Sequence, residues 1–272
     1  MDKRRVTPRF CFLLTAGLTL VGVVLRTICL LFCFEPDPGY FTAGILPTAS
    51  NVLYVAAVIL PAVCVLLTPS AAYPRELRTP LRSIPAIGLG VGLAAFAVAS
   101  FLLCFPARTS NIMLAPLFLG AASSFYYLLT HNRNGIYSDG RALLGYLPVL
   151  WSIAAVGDVY FDRYVTMNSP VKISLQLGFL GFMLIGLAEL RFRIGRPLPR
   201  YAASFWAIGA YACLTGALPI LIATGVGILD DRSHLLYAAV LLLAGIYGLY
   251  LLFCHTALPT APATPAETNT SA

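Results

Sequence analysis

"FCFLLTAGLTLVGVVLRTICLLFCF", residues 10–34, is an apolar run of 25 residues that contains a single charged side chain, Arg26. About 20 helical residues, rising 1.5 Å each, cross the roughly 30 Å hydrocarbon core of a bilayer, so the run predicts a membrane-spanning helix. The basic residues 1–9 resemble the start of a signal peptide. The apolar run is too long for a signal peptide, however, and no small-residue cleavage site follows it. We therefore expect an uncleaved first span.

Comparable apolar runs recur along the whole chain of 272 residues, which is 59% hydrophobic and 11% charged. Soluble domains carry about 25% charged residues. Helices satisfy their own backbone hydrogen bonds within a bilayer, so the sequence predicts an all-α, polytopic integral membrane helical bundle with short loops. We expect one transmembrane domain over residues 1–256 with about eight transmembrane helices. The predicted spans are 10–34, 47–68, 84–105, 111–130, 142–161, 169–191, 201–228 and 235–256.

The basic residues predict how the bundle is oriented. Positive charges concentrate in the cytoplasmic loops of membrane proteins, and here 13 of the 18 lysines and arginines lie in alternate loops, while four lie in the opposite set. The 13 are Lys3, Arg4, Arg5, Arg9, Arg75, Arg78, Arg82, Arg133, Arg141, Arg191, Arg193, Arg196 and Arg200. The other four are Arg108, Arg163, Lys172 and Arg232. We expect a cell-membrane protein with both termini in the cytoplasm and a disordered cytoplasmic tail, rich in Pro, Ala and Thr, at 257–272.

One face of the first predicted helix is small or polar and includes Arg26. Steps of three and four residues place Thr15, Thr19, Gly22, Arg26, Cys29 and Cys33 on this face. The opposite face carries Leu20, Val24 and Phe32. Small and polar stripes contact other helices in membranes, whereas bulky apolar faces contact lipid. Arg26 is therefore expected to point into the bundle, where it needs a partner.

Carboxylates at the outer end of the fifth span are the expected partners of Arg26. Asp158 and Asp162 are four residues apart and share one helical face if the helix continues that far. Two adjacent carboxylates repel each other, and a guanidinium between them would relieve that repulsion. Asp158 is the deeper of the two and is the preferred partner. Glu35 and Asp37 are the alternatives, although the neighbouring prolines indicate a solvated loop.

The start of the sixth span adds a second polar group at the same side. Ser169 fits a helix N-cap and Pro170 fits the first helical position, which places Lys172 in the first turn and Gln176 one turn deeper. Arg26, Asp158, Asp162, Lys172 and Gln176 are therefore expected to line one outward-facing polar cluster. The cluster has three readings: an ion pair that holds helices together, a site for a solute or ion, or a catalytic site.

Three smaller features are expected to be structural. Gly88 and Gly92, at GxxxG spacing, predict close helix packing. Asn51 is expected to cap the second span or to form a hydrogen bond to another helix. Glu189 and Arg193 are expected to form an ordinary i,i+4 pair at the inner membrane interface.

The sequence favours two functions. The first is transport or binding of a small solute at the outward-facing cluster. The second is a non-enzymatic membrane subunit or sensor that acts through a membrane protein partner, with a purely structural cluster.

We expect no enzyme, because the chain has no HExxH, GxSxG, P-loop or dinucleotide-binding motif. Its seven cysteines and three histidines show no metal-ligand spacing, so no metal or cofactor is expected. The basic charge sits in short loops, so the expected partners are the bilayer and a small solute or partner protein, not nucleic acid.

Overall fold

The computed structural model of the chain describes residues 7–35, 39–74, 76, 83–107, 114–130, 139–162, 166, 168–229 and 232–256. Several sequence predictions lie outside the described residues. They are the disordered tail at 257–272, the alternative partner Asp37, and the orientation residues Lys3, Arg4, Arg5, Arg75, Arg78, Arg82, Arg108, Arg133 and Arg163.

The described part of the chain contains nine α-helices and one short hairpin, together with a 3-10 turn at Ser70–Ala72 and a π-helical segment at Tyr126–Thr130. The helices are α1 Pro8–Phe32, α2 Ile45–Leu67, α3 Ile84–Ala107, α4 Leu114–Phe125, α5 Asp139–Leu144, α6 Leu147–Phe161, α7 Pro170–Arg193, α8 Pro199–Gly225 and α9 Arg232–Thr256. Strands β1 Phe34–Glu35 and β2 Tyr40–Phe41 pair antiparallel. Seven segments, with α5 and α6 contributing one between them, are long and apolar enough to cross a membrane, and the apolar helix Leu114–Leu129 is shorter. The predicted all-α membrane bundle is confirmed.

Local sequence signals explain where several helices begin and break. α1 starts with Thr7, whose hydroxyl accepts from the backbone N–H of Phe10. α7 starts as predicted, with Ser169 at the N-cap position and Pro170 at the first helical position. The predicted span 142–161 is interrupted, because a turn at 145–146 separates α5 from α6. Pro148 lies in the first turn of α6, where a missing N–H costs no helical hydrogen bond.

Helices α7, α8 and α9 form the centre of the bundle. α8 packs along both α7 and α9, and it also contacts α1 and α2. α6 packs on α7 and α4, while α3 packs on α4 and α9. The outer faces of the peripheral helices are apolar and exposed: Phe32 of α1 is 79% exposed and Ile45 of α2 is 90% exposed. Such faces suit contact with acyl chains.

α7 and α8 touch through their backbones at glycines, which we call the glycine seam (Gly181, Gly209 and Gly216). A Cβ added to Gly209 would lie 2.5 Å from the carbonyl oxygen of Gly181. A Cβ added to Gly216 would lie 2.6 Å from the carbonyl oxygen of Ser174. No side chain larger than hydrogen fits at these positions without separating the helices.

The predicted close packing at Gly88 and Gly92 is half right. A Cβ on Gly92 would collide with the side chain of Leu243 on α9, so this glycine does permit a close approach of two helices. A Cβ on Gly88 would meet nothing within 4 Å. Of the two glycines, only Gly92 faces another helix closely, and there a Cβ would require the Leu243 side chain to move.

The two ends of the bundle carry different polar groups. We call them the Arg26 end, where α1 and α6 finish and α7 begins, and the Arg193 end, where α7 finishes and α8 begins. The hairpin of β1 and β2 lies at the Arg26 end, directly after α1. Gly39, directly before β2, has a φ of 71°, a left-handed conformation that favours glycine.

Candidate functional site

Arg26 points into the bundle, as its helical face predicted. The residues Cys11, Thr15, Thr19, Gly22, Arg26 and Cys29 are all buried, and Cys33 at the helix end is half-buried. On the opposite face, Leu20 is 67% exposed and Val24 is 50% exposed. Arg26 itself is 9% exposed and lies six residues before the end of α1, or about 9 Å along the helix axis.

The guanidinium of Arg26 binds neutral oxygen atoms on two other helices. Its Nη2 donates to the Ser174 hydroxyl at 2.9 Å and to the carbonyl oxygen of Pro170 at 3.2 Å, both on α7. Its Nη1 donates to Oδ1 of Asn51 on α2 at 3.3 Å, which confirms the prediction that Asn51 bonds across helices. The Phe41 ring of β2 lies 4.8 Å from the guanidinium carbon, within range of a cation–π contact. These residues form what we call the Arg26 site: Arg26, Phe41, Asn51, Pro170 and Ser174.

The predicted ion pair between Arg26 and Asp158 is wrong. Within the described part of the chain, Arg26 makes no contact with a carboxylate, and Glu35 does not pair with it either. The cause is helix adjacency. α1 packs on α8, α2 and α9, whereas α6 packs on α7 and α4, so the helices that carry Arg26 and Asp158 are not close neighbours.

Asp158 instead belongs to a second group on the other side of α7. The Tyr237 hydroxyl of α9 donates to its Oδ2 at 2.8 Å, and the carboxyl is 8% exposed. The Tyr237 ring packs on Phe96 and Phe179, with centroids 5.0 and 5.2 Å away. Trp151 of α6 is fully buried beside the same rings.

Asp162 and Lys172 complete this second group together with a histidine. Asp162 follows the last residue of α6, and its extended ψ of 119° ends the helix, so the predicted helical face does not continue to it. Its backbone oxygen accepts from Lys172 Nζ at 2.8 Å, and Nε2 of His234 lies 3.6 Å from its carboxylate. We call Asp158, Asp162, Lys172, His234 and Tyr237 the Asp158 group.

The five predicted site residues therefore divide. Asp158, Asp162 and Lys172 come together, Arg26 lies in its own site, and the first turns of α7 connect the two through Lys172 and Ser174. Gln176 is half-buried on α7 and, among the described residues, makes no hydrogen bond to either group. Whether these residues bind a solute stays a prediction.

Sequence reasoning missed several members of these groups. Ser174 follows Pro170 by one helical turn and donates to its carbonyl at 2.6 Å, so its spacing was a usable signal. Phe41 lies close to Arg26 because the hairpin folds back over the end of α1. Tyr237 lies close to Asp158 because α9 passes near the end of α6. Neither contact has a signature in a single sequence.

The predicted ion pair of Glu189 and Arg193 forms at the Arg193 end, but it is buried and does not lie at the membrane interface. Nε of Arg193 lies 3.6 Å from Oε1 of Glu189, and their side chains are 4% and 1% exposed. Tyr247 of α9 lies near both charges. The pair therefore faces the protein interior, and Glu189 supplies the countercharge of Arg193. Arg26 has no such carboxylate among the described residues.

His255 and Tyr73 also pack together at the Arg193 end. Their rings stack at 5.7 Å, and Nε2 of His255 lies 3.1 Å from the carbonyl oxygen of Pro199. The Tyr73 hydroxyl lies 3.9 Å from the Cys11 sulfur. Burial raises the pKa of the Tyr73 phenol, which therefore remains a neutral hydrogen-bonding group.

The chain matches no protein family, no curated protein and no solved structure. Within the described residues, no group of three or more His, Cys, Asp or Glu side chains could hold a metal ion.

Proposed function

We propose that this membrane protein binds a small anionic solute at the Arg26 site, as a transport or solute-binding protein. The observation that carries the proposal is a guanidinium that is 9% exposed and has only neutral oxygens as described hydrogen-bond partners. An isolated charge inside a membrane protein is costly, and intramembrane charges commonly mark binding sites or solute pathways. An anion would supply the missing countercharge.

The donors around Arg26 suit a carboxylate or phosphate group. A guanidinium has five N–H donors, and three are used by the described partners. The remaining two can form a charge-assisted pair with an anion. The carbonyl oxygen of Asn51 accepts from Arg26, which leaves the NH2 group of this exposed side chain as a further donor close by.

The surroundings also favour negative charge. The first turn of α7 lies against Arg26, and the amino end of a helix carries a partial positive charge. Asp158, the predicted partner of Arg26, is instead held by Tyr237. The described carboxylates of the Asp158 group therefore do not neutralise Arg26.

The hairpin of β1 and β2 covers the proposed site. Phe41 contacts the guanidinium and Tyr40 beside it is 42% exposed. A cation–π contact is worth roughly 0.5–2 kcal/mol. This is enough to hold Phe41 against Arg26, yet small enough for an anion to replace the ring. We assign Phe41 the role of a cover that an entering solute displaces.

We also propose that the Arg26 end faces away from the cytoplasm. Arg9, Arg141, Arg191, Arg196 and Arg200 all lie at the opposite end, as the positive-inside rule requires of the cytoplasmic side. With this orientation both termini lie on the cytoplasmic side, and we propose the cell membrane as the location.

A non-enzymatic subunit or sensor, working through a partner protein, is the second candidate. The observation in its favour is that the three hydrogen bonds of Arg26 tie α1 to α2 and α7, which a purely structural arginine would also do. A partner-dependent protein should copurify with that partner in mild detergent. Recovery as a lone monomer would count against this candidate.

Anion-dependent thermal stability tests the proposed function. The purified protein is heated with chloride, acetate, succinate or inorganic phosphate, and with neutral and cationic solutes at matched ionic strength. A ligand at 100 times its Kd stabilises a protein by about 2.7 kcal/mol, so at least one anion should raise the Tm by several degrees. Arg26→Gln should abolish that shift.

Arg200→Gln is the matched control, because Arg200 also donates to a backbone carbonyl, that of Val65, but at the Arg193 end. This variant should keep the anion response. If no anion raises the Tm of the wild-type protein, or if the shift survives in Arg26→Gln, the proposed function is wrong.

A further inference from the structure

A cavity of about 200 Å³ lies at the Arg193 end, between the last turns of α7 and the first turns of α8. It is lined by Ala188, Arg191, Leu198, Tyr201, Ala202 and Phe205. Its lining is apolar or aromatic except for one cation, Arg191. The cavity thus combines an apolar surface suited to hydrocarbon with one charged side chain, and it lies where the spanning helix α7 ends.

The turn after α7 holds a second arginine beside the first. The backbone N–H of Arg196 donates to the carbonyl of Arg191 at 3.0 Å, and that of Gly195 donates to Phe192 at 3.1 Å. With Gly195 at a φ of 74°, this is a Schellman cap, a rigid helix ending. The backbones of Arg191 and Arg196 are thus adjacent, and both side chains are exposed.

The other two arginines of this region are committed elsewhere. Arg193 is buried with Glu189, and Arg200 donates to the carbonyl of Val65. Arg191 and Arg196, by contrast, have no described hydrogen-bond acceptor for their side chains. The charge of Arg191 is therefore available to a ligand in the cavity, and that of Arg196 to a part of the ligand that extends beyond the lining residues.

We propose that this cavity binds one anionic phospholipid from the surrounding leaflet. The phosphate would pair with Arg191 and Arg196, and the upper part of an acyl chain would lie along Ala188, Ala202 and Phe205. Tyr201, 52% exposed at the rim, suits the headgroup level, where tyrosines concentrate in membrane proteins. Basic pockets between transmembrane helices are a recognised form of anionic lipid site.

Charge complementarity favours a lipid over other occupants. A free phosphate would use the arginines but leave the apolar floor empty, and a zwitterionic lipid would use the floor but gain little from two cations. The site lies at the end of the bundle opposite to the Arg26 site, so it is independent of the proposed anionic solute.

Native mass spectrometry with added lipid tests the proposal. The protein is mixed with phosphatidylglycerol or with phosphatidylcholine of the same acyl chains, and the retained molecules are counted. The first phosphatidylglycerol should bind more tightly than phosphatidylcholine. Each arginine near an anionic surface contributes about fivefold in affinity, so Arg191→Gln and Arg196→Gln should each weaken that first binding event about fivefold.

Arg191→Lys keeps the charge and should retain most of the preference, whereas Arg9→Gln removes an exposed arginine on α1 and should change nothing. Inorganic phosphate alone should not compete with the first bound lipid, because it leaves the apolar floor uncovered. Equal binding of the two lipids, competition by phosphate, or an unchanged preference in the Arg191→Gln, Arg196→Gln double variant would each overturn the proposal.

Discussion

Replacing Arg26 by methionine should remove anion binding while leaving stability almost unchanged. Methionine replaces the aliphatic stem of arginine by a stem of similar length and removes the charged guanidinium. The substitution loses three hydrogen bonds, each worth about 0.6 kcal/mol in membrane proteins, and a cation–π contact worth about 1 kcal/mol. The total loss is about 3 kcal/mol.

The loss is offset because the buried charge disappears. Placing an arginine at the centre of a spanning helix costs about 2.5–3.5 kcal/mol on insertion scales, and less toward the end of the helix. With no described carboxylate to compensate that cost, the two terms nearly cancel. We expect the free energy of unfolding to change by no more than about 1 kcal/mol in low-anion buffer. An arginine paired with a fixed carboxylate would behave differently, since breaking a buried pair costs about 3–5 kcal/mol.

Denaturation by SDS in mixed micelles measures this difference. Wild type and Arg26→Met are titrated in parallel, first without added anion and then with the anion that raises the Tm most. The gap between the two proteins should open only when the anion is present, because only the wild type binds it. A loss of 3 kcal/mol or more in the absence of anion would show that Arg26 already has a permanent countercharge, and the reasoning would fail.

Two further predictions concern packing and the second buried arginine. Gly209→Ala should destabilise the protein by about 1–3 kcal/mol, since its Cβ would lie 2.5 Å from the Gly181 carbonyl, while Gly157→Ala, with nothing within 4 Å, should be neutral or slightly stabilising. The same SDS titration measures both, and equal effects would contradict close backbone contact. Glu189→Gln should cost about 3 kcal/mol or more without any dependence on added anions, because it removes the countercharge of Arg193. A change below about 1 kcal/mol in that variant would show that the pair contributes little.

Hydrophobic runs and charge-bearing faces made much of this fold predictable. The first helix shows why: its small, polar face and its bulky face differ so clearly that the inward direction of Arg26 follows from spacing alone. The start of α7 was also predictable, because Ser169 and Pro170 are a strong local signal. Such features depend on residues within a few positions of each other.

Features that depend on which helices are neighbours were not predictable. Arg26 was expected to meet Asp158, but it bonds to Ser174 because α1 does not pack closely on α6. Glu189 and Arg193 look like an exposed pair in sequence, and only the packing around α7 buries them. A single sequence does not show which helices are neighbours. Contacts between helices that are far apart in the chain are therefore known only from the structure.

The glycine seam determines where structural change in this bundle should be sought. Because Gly181 and Gly209 bring α7 and α8 into backbone contact, the two helices have no intervening layer of side chains that could adopt a second arrangement. Spin labels on these two helices should therefore keep a constant separation and can serve as a reference. Distances from this reference to labels on α1, α2 and the hairpin would report any movement of these elements when a solute binds.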